Sequence, residues 1–225
     1  MGLANAALNS FLLVYAALFP IVNPLSGAPV FLMMTRHLSP AVRHKLAAGV
    51  ALNGFVLLLG SLLVGSHLLE FFGITLPVVR VAGGLVVSVM GWQLLNQRGD
   101  PTAEERQSAA PPPQHEPPPD PFYPLTMPLT VGPGSMTVAI TLGSQRPQAA
   151  ESLGDLAVIG SGALTGLAAI AVTIYVCYRF ADNIEAILGR AGTNVLVRLS
   201  AFILLCIGIE IIWAGVSSLA ATLKP

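Results

Sequence analysis

The sequence predicts an all-α membrane protein: six transmembrane helices in two inverted three-helix repeats, with helices 1 and 4 broken by prolines. Three observations predict it. The 225-residue chain is 54% hydrophobic and only 10% charged, with a mean hydropathy of +0.73, whereas a soluble domain carries about 25% charged residues. Six charge-poor windows each approach the ~20 residues needed to cross a bilayer. One proline pattern, P-x3-P-x4-P, occurs twice. Net charge is zero, which leaves no basic surface for nucleic acid.

The first window, 8–35, contains FPIVNPLSGAP and no charged residue. A proline in a helix interior costs about 3 kcal/mol, and lipid offers no water to the freed carbonyls. Three prolines there predict an interrupted helix. No basic segment precedes it, so it reads as a retained span rather than a cleaved signal peptide. Windows 46–67 and 75–96 complete a first three-helix repeat over 1–98. Residues 99–121 hold eight of the 18 prolines and five acids with little apolar bulk, which predicts an extended, flexible linker. Windows 122–144, 156–178 and 197–220 form the second repeat over 122–225; the last contains one carboxylate, Glu210.

The two proline-bearing windows align. Pro20, Pro24 and Pro29 fall opposite Pro124, Pro128 and Pro133, each pair 104 positions apart, with Ser26 opposite Thr130. Arg80 opens the third window as Arg198 opens the sixth, and Gly91-x-Gln93 corresponds to Gly208-x-Glu210 with a one-residue slip. Three spans per half force opposite orientations, an architecture typical of secondary transporters, whose substrate sites lie at paired broken helices. Orientation follows Lys and Arg. Seven of them lie in loops 1–2, 3–4 and 5–6, against Arg146 and Lys224 on the other face. Those loops are therefore expected in the cytoplasm and both termini outside. Trp92 and Trp213 suit interface anchoring or packing between helices.

At the breaks, Asn23, Pro24, Ser26 and Gly27 in the first half and Thr126, Pro128, Thr130, Gly132 and Gly134 in the second are the candidate substrate-binding residues. Free N–H groups at a half-helix start suit a carboxylate, and the glycines let solute approach the backbone. Asn23 suits solute binding and helix capping equally. Ser135 and Thr137 are softer candidates, since membrane hydroxyls commonly bond nearby carbonyls. Glu210 lies mid-span, where a carboxyl usually faces a cavity or a partner, and is the candidate proton-coupling group. Its alternative is a structural hydrogen-bonded role. Arg80 and Arg198 are candidates for a gate or a structural lock. Gly162/Gly166 and Ser61/Gly65 have the spacing of close helix contacts.

The motifs FPIVNPLSGAPVFLMMT and YPLTMPLTVGPGSMT resemble those of the MarC family of bacterial inner-membrane proteins, also labelled neutral amino acid transporters. The similarity spans all six windows and leaves out only the linker. The family's first motif usually reads Asn-Pro-x-Gly-x-x-Pro-x-Phe; here Ser26 stands at the usual glycine position and Gly27 follows. The resemblance implies an inner-membrane transporter of small solutes, neutral amino acids first; the coupling ion is left open between proton and sodium. It implies no cofactor and allows a homo-oligomer.

Two other classes compete. An intramembrane enzyme would need a base at depth, yet His37, His44, His67 and His115 lie in loops or at span ends, and no paired membrane aspartates exist. Gly160-Ser161-Gly162 alone is no catalytic site, so no catalytic or metal residues are assigned. Cys177 and Cys206 sit in apolar runs without ligand spacing. An adaptor protein would have to work through the linker. Within transport, a channel or an exporter of other small molecules remains the alternative.

Overall fold

The computed structural model describes residues 3–96, 120–127, 129–144 and 153–222. Seven helices lie in these stretches: α1 (Leu3–Val22), α2 (Pro24–Thr35), α3 (Pro40–Phe71), α4 (Leu76–Asn96), α5 (Pro133–Ser144), α6 (Leu153–Arg179) and α7 (Ala181–Thr222). No strand occurs among the described residues. The all-α expectation therefore holds. Most of the linker, at 99–119, lies outside the described residues.

Five helices carry apolar stretches long enough to cross a membrane: Asn5–Val22, Pro40–Gly65, Leu76–Asn96, Gly154–Arg179 and Asn194–Ala221. The fourth expected span takes another form. Residues 120–127 and 129–132 are largely turns, and helix begins only at Pro133. The 12 residues of α5 reach roughly 18 Å, short of a ~30 Å hydrocarbon core. Pro133 opens α5 because a proline at the first helical position loses no bond the helix could have made.

The first window divides differently. Pro20 stays inside α1 and Pro29 inside α2. The interruption is the single residue Asn23, at φ 46° and ψ 56°. A residue before proline is disfavoured in the right-handed helical region, and Asn tolerates the left-handed one. Pro24 then starts α2. α3 ends on Gly73 at φ 66°, whose N–H donates to the Glu70 carbonyl at 3.0 Å. α7 bends at Gly189 (φ 63°) before its apolar stretch.

Contacts fix the helix directions. α1 runs parallel to α6: the Ser10 hydroxyl donates to the Ile159 carbonyl at 2.9 Å, and Tyr15 Oη meets Thr173 Oγ1 at 3.1 Å. Gly162 lies against the backbone of Ala7, and Gly166 against Phe11 and Val14, as their spacing predicted. α3 runs parallel to α5, with Gly54 against Val131 and Gly65 against Ile140. It runs antiparallel to α6, where Arg43 Nη1 reaches Asp182 Oδ1 at 2.9 Å just beyond the α6 end. α4 and α7 cross antiparallel. Gly84 meets Gly208 and Ile212, Gly91 meets Ala201 and Leu205, and Gly215 meets Pro77 and Val81. These directions carry Leu3 and Thr222 to the same face.

The main core gathers Leu18, Phe31, Val50, Leu58, Leu125 and Ile174, all at most 1% exposed. Leu125 and Val131 of the irregular stretch before α5 are fully buried in it, so backbone that mixes i→i−4 with i→i−5 hydrogen bonds is packed there against protein. That is the setting in which membranes tolerate non-helical backbone.

Candidate functional site

The helical breaks converge on the C-terminal end of α6. Tyr178, 2% exposed, stacks on Phe31 of α2 with ring centroids 4.6 Å apart. Its hydroxyl lies 2.7 Å from Thr130 Oγ1, which also donates to the Leu125 carbonyl at 2.7 Å. With its own hydrogen spent on Leu125, Thr130 accepts from Tyr178. The same Tyr178 hydroxyl sits over Gly27, where an added Cβ would be 2.5 Å away. One side chain thus joins the residue after Ser26 to the residue that the sequence alignment sets opposite Ser26.

A small buried cavity opens beside this junction. Its walls include Ile21 from α1, Val87 and Met90 from α4, and Leu204 from α7. The rest comes from Leu129, Thr130 and Gly132 just before α5 and from Gly134 and Ser135 in its first turn. Val87 lies near the middle of α4, so the cavity is at about mid-depth. Its volume is about 20 Å³, room for one water molecule. Proline at the first position of α5 has no N–H, and those of Gly134 and Ser135 belong to the unsatisfied first turn. The positive end of the α5 dipole therefore points at the cavity. The Ser135 hydroxyl is turned back onto the Gly132 carbonyl at 2.9 Å.

Of the sequence-predicted residues, Thr130, Gly132 and Gly134 line the cavity, as does the softer candidate Ser135. Thr126 is fully buried but donates to the Pro121 carbonyl at 2.7 Å. Pro128 lies outside the described residues. Asn23, Pro24, Ser26 and Gly27 are on the neighbouring break and do not form the cavity wall. Asn23 holds the N-cap position of α2 without a side-chain cap bond, so its amide is not committed to capping. Among the described residues Ser26 Oγ is buried without a hydrogen-bond partner, a state that costs about 1–3 kcal/mol. Thr137 donates to the Pro133 carbonyl at 2.9 Å.

Glu210 is exposed on the outer side of α7, away from the cavity. Arg80 and Arg198 sit toward opposite ends of the α4–α7 crossing, and among the described residues neither takes part in an ion pair. Sequence reasoning missed Tyr178, Val87, Met90 and Leu204. A tyrosine beside Arg179 at a span end reads as an interfacial aromatic, and the three apolar residues look like any membrane-helix residue. A second, open depression of about 440 Å³ lies among Leu69, Glu70, Thr75, Leu76 and Ser144. It is a surface cleft at the α3–α4 turn, remote from both breaks.

The MarC family model, described as a MarC family integral membrane protein, matches residues 8–220. The chain belongs to the MarC family. The MarC inner membrane protein (UPF0056) of Salmonella typhimurium is 29% identical over 207 residues, covering 91% of this chain and 93% of that one. Its namesake in Escherichia coli O1:K1 is 28% identical over 207 residues, with 91% and 93% covered. A UPF0056 membrane protein of Buchnera aphidicola is 27% identical over 212 residues, covering 93% of this chain and 92% of that relative. No solved structure matches the chain. Membership therefore fixes an integral membrane protein, and these MarC relatives share nearly its full length, including both proline-bearing segments.

Proposed function

We propose that this MarC-family protein is an inner-membrane secondary transporter of small neutral solutes, with neutral amino acids the first class to test. The observation that carries the reading is the buried cavity at the start of α5, placed where two interrupted helical segments meet at mid-depth. Gly134 and Ser135 N–H groups and the α5 dipole suit a solute carboxylate. The ammonium would turn to carbonyls that proline leaves without partners: Pro24 and Pro29 provide no N–H to the carbonyls of Pro20 and Leu25. Ser26 and Asn23 stand beside that second position with uncommitted polar groups.

Pseudo-symmetric packing supports two inverted halves. α1 lies on α6 as α3 lies on α5, each pair parallel and each joining the first segment of one half to the second of the other. In the α4–α7 crossing, Gly91 meets Ala201 and Leu205 as Gly208 meets Gly84 and Ser88. A constant displacement of 117 positions relates all of these residues. With room for only about one water, the cavity is too small to hold an amino acid as it stands, and solute entry would come from rocking of one half against the other. In this reading six crossings would put both termini on one face, and the distribution of Lys and Arg favours the outside.

The test is uptake into proteoliposomes of glycine, alanine and serine under imposed proton or sodium gradients. Gradient-dependent flux of at least one is expected. Absence of flux for all three would remove the leading substrate class. If protons drive uptake, Glu210→Gln should abolish the proton-driven part, with the carboxyl acting from the outer side of α7.

A further inference from the structure

The outer side of α7 poses a problem that the transport reading leaves open. Leu199, Phe202, Cys206, Ile209, Trp213 and Val216 are all exposed there. They succeed one another by alternating steps of three and four, the spacing of a helix–helix seam. Glu210 flanks this stripe and is itself exposed. It lies within roughly 5 Å, along the helix axis, of the middle of the apolar stretch Asn194–Ala221. Among the described residues it has no hydrogen-bond or ion-pair partner. A stripe of the same spacing without a carboxyl would simply face lipid. A carboxyl there cannot, because hydrocarbon supplies neither donor nor acceptor.

The opposite side of α7 is already taken, since Gly208 and Gly215 bring it against the α4 backbone. Arg198 lies twelve residues away, roughly 18 Å along the helix, too far to neutralise Glu210. An identical Arg198 in a neighbouring copy of the same orientation would sit at the same wrong depth. The group that matches Glu210 in depth and chemistry is Glu210 itself. In a two-fold contact a residue at the axis meets its own copy, and a carboxyl pair that shares a proton provides both the donor and the acceptor that lipid lacks.

We infer that the outer face of α7 is the contact surface for a second copy of this chain, with Glu210 pairing with Glu210 across the two-fold axis. Cys206, one turn before Glu210 on the same side, is exposed, whereas Cys177 is buried. The interface therefore carries its own chemical probe.

The test uses the full-length protein, terminally tagged with donor or acceptor fluorophores, in liposomes at decreasing protein-to-lipid ratio. Energy transfer should persist on dilution. In native membranes, copper phenanthroline should yield a disulfide-linked product of twice the chain mass, lost in Cys206→Ser and kept in Cys177→Ser. Glu210→Leu should weaken self-association about tenfold, whereas Glu210→Gln, whose amide also donates and accepts, should stay within about threefold. Phe202→Ala, on the same stripe, should weaken association without lowering the unfolding temperature, which guards against a folding defect at Glu210. The inference is overturned by a monomer at every dilution, by Cys206 products only with a protein of another mass, or by undiminished association of Glu210→Leu. None of these readouts depends on solute flux, so their failure leaves the transport reading standing.

Discussion

Asn23 and Gly27 show how much of the first break rests on single residues. Asn23 occupies the left-handed region, which a β-branched residue adopts only with strain. Asn23→Val should therefore destabilise the protein by about 1–2 kcal/mol, read as a lower unfolding temperature in detergent. Asn23→Gly should keep stability within a few tenths of a kcal/mol, since glycine favours the same region. If uptake nevertheless falls in Asn23→Gly, the amide contacts solute. Gly27→Ala would set a methyl group 2.5 Å from the Tyr178 hydroxyl. Tyr178 is held by Phe31 and Thr130 and cannot swing away, so a loss of about 1–3 kcal/mol is expected. Tyr178→Phe removes the obstructing oxygen, leaving ring carbons at 3.3 Å. The double variant should recover much of that loss, a coupling that thermal unfolding of all four proteins would measure. The residue types at the break were legible in the sequence, but the use of each was not. Three prolines marked the place, yet the backbone turns at the asparagine between them.

Among the elements, α4 and α7 offer the sharpest test. At their crossing an added Cβ on Gly91 would lie 2.6 Å from the Leu205 nitrogen and 2.9 Å from the Ala201 oxygen. These are backbone atoms, so a side chain there must push whole helices apart. Gly91→Leu is expected to cost about 3 kcal/mol or more and to lower yield in the membrane. Gly160→Leu, with nothing within 4 Å of its Cβ position, should be nearly neutral, and comparing the two by unfolding temperature checks the point. Hydropathy located the helices well because lipid selects long apolar runs directly. It misjudged the fourth span, where turns through Thr126 and Thr130 replace the first half of a helix. Apolar composition says that a segment is buried. It does not distinguish burial in lipid from burial among Leu58, Ile174 and Val131, where irregular backbone is tolerated.

At the scale of the whole molecule, the proposed transport function is assigned to the helices around the cavity and not to the linker. The described cavity-lining residues lie in α1, α4, α7 and the stretch 129–135. Replacing residues 99–119 with a neutral flexible sequence of equal length should leave solute flux within about twofold in proteoliposomes, since linker composition there sets reach rather than chemistry. A loss of all flux would favour the adaptor reading. The proposed symmetry between halves rests in the sequence on proline spacing and on the Gly91/Gly208 correspondence, because both record backbone demands that few residues satisfy. The sequence by itself determined the membrane class, the helical fold and the MarC motifs, and it named Thr130, Gly132 and Gly134, which line the cavity. Each of these follows from composition or from residues whose backbone chemistry is distinctive. Only the tertiary structure decided that Tyr178, Val87, Met90 and Leu204 complete the junction and cavity, and that Glu210 faces outward from α7. Apolar side chains and rotational position around a helix leave little mark in one sequence, because lipid and protein interiors accept the same residues.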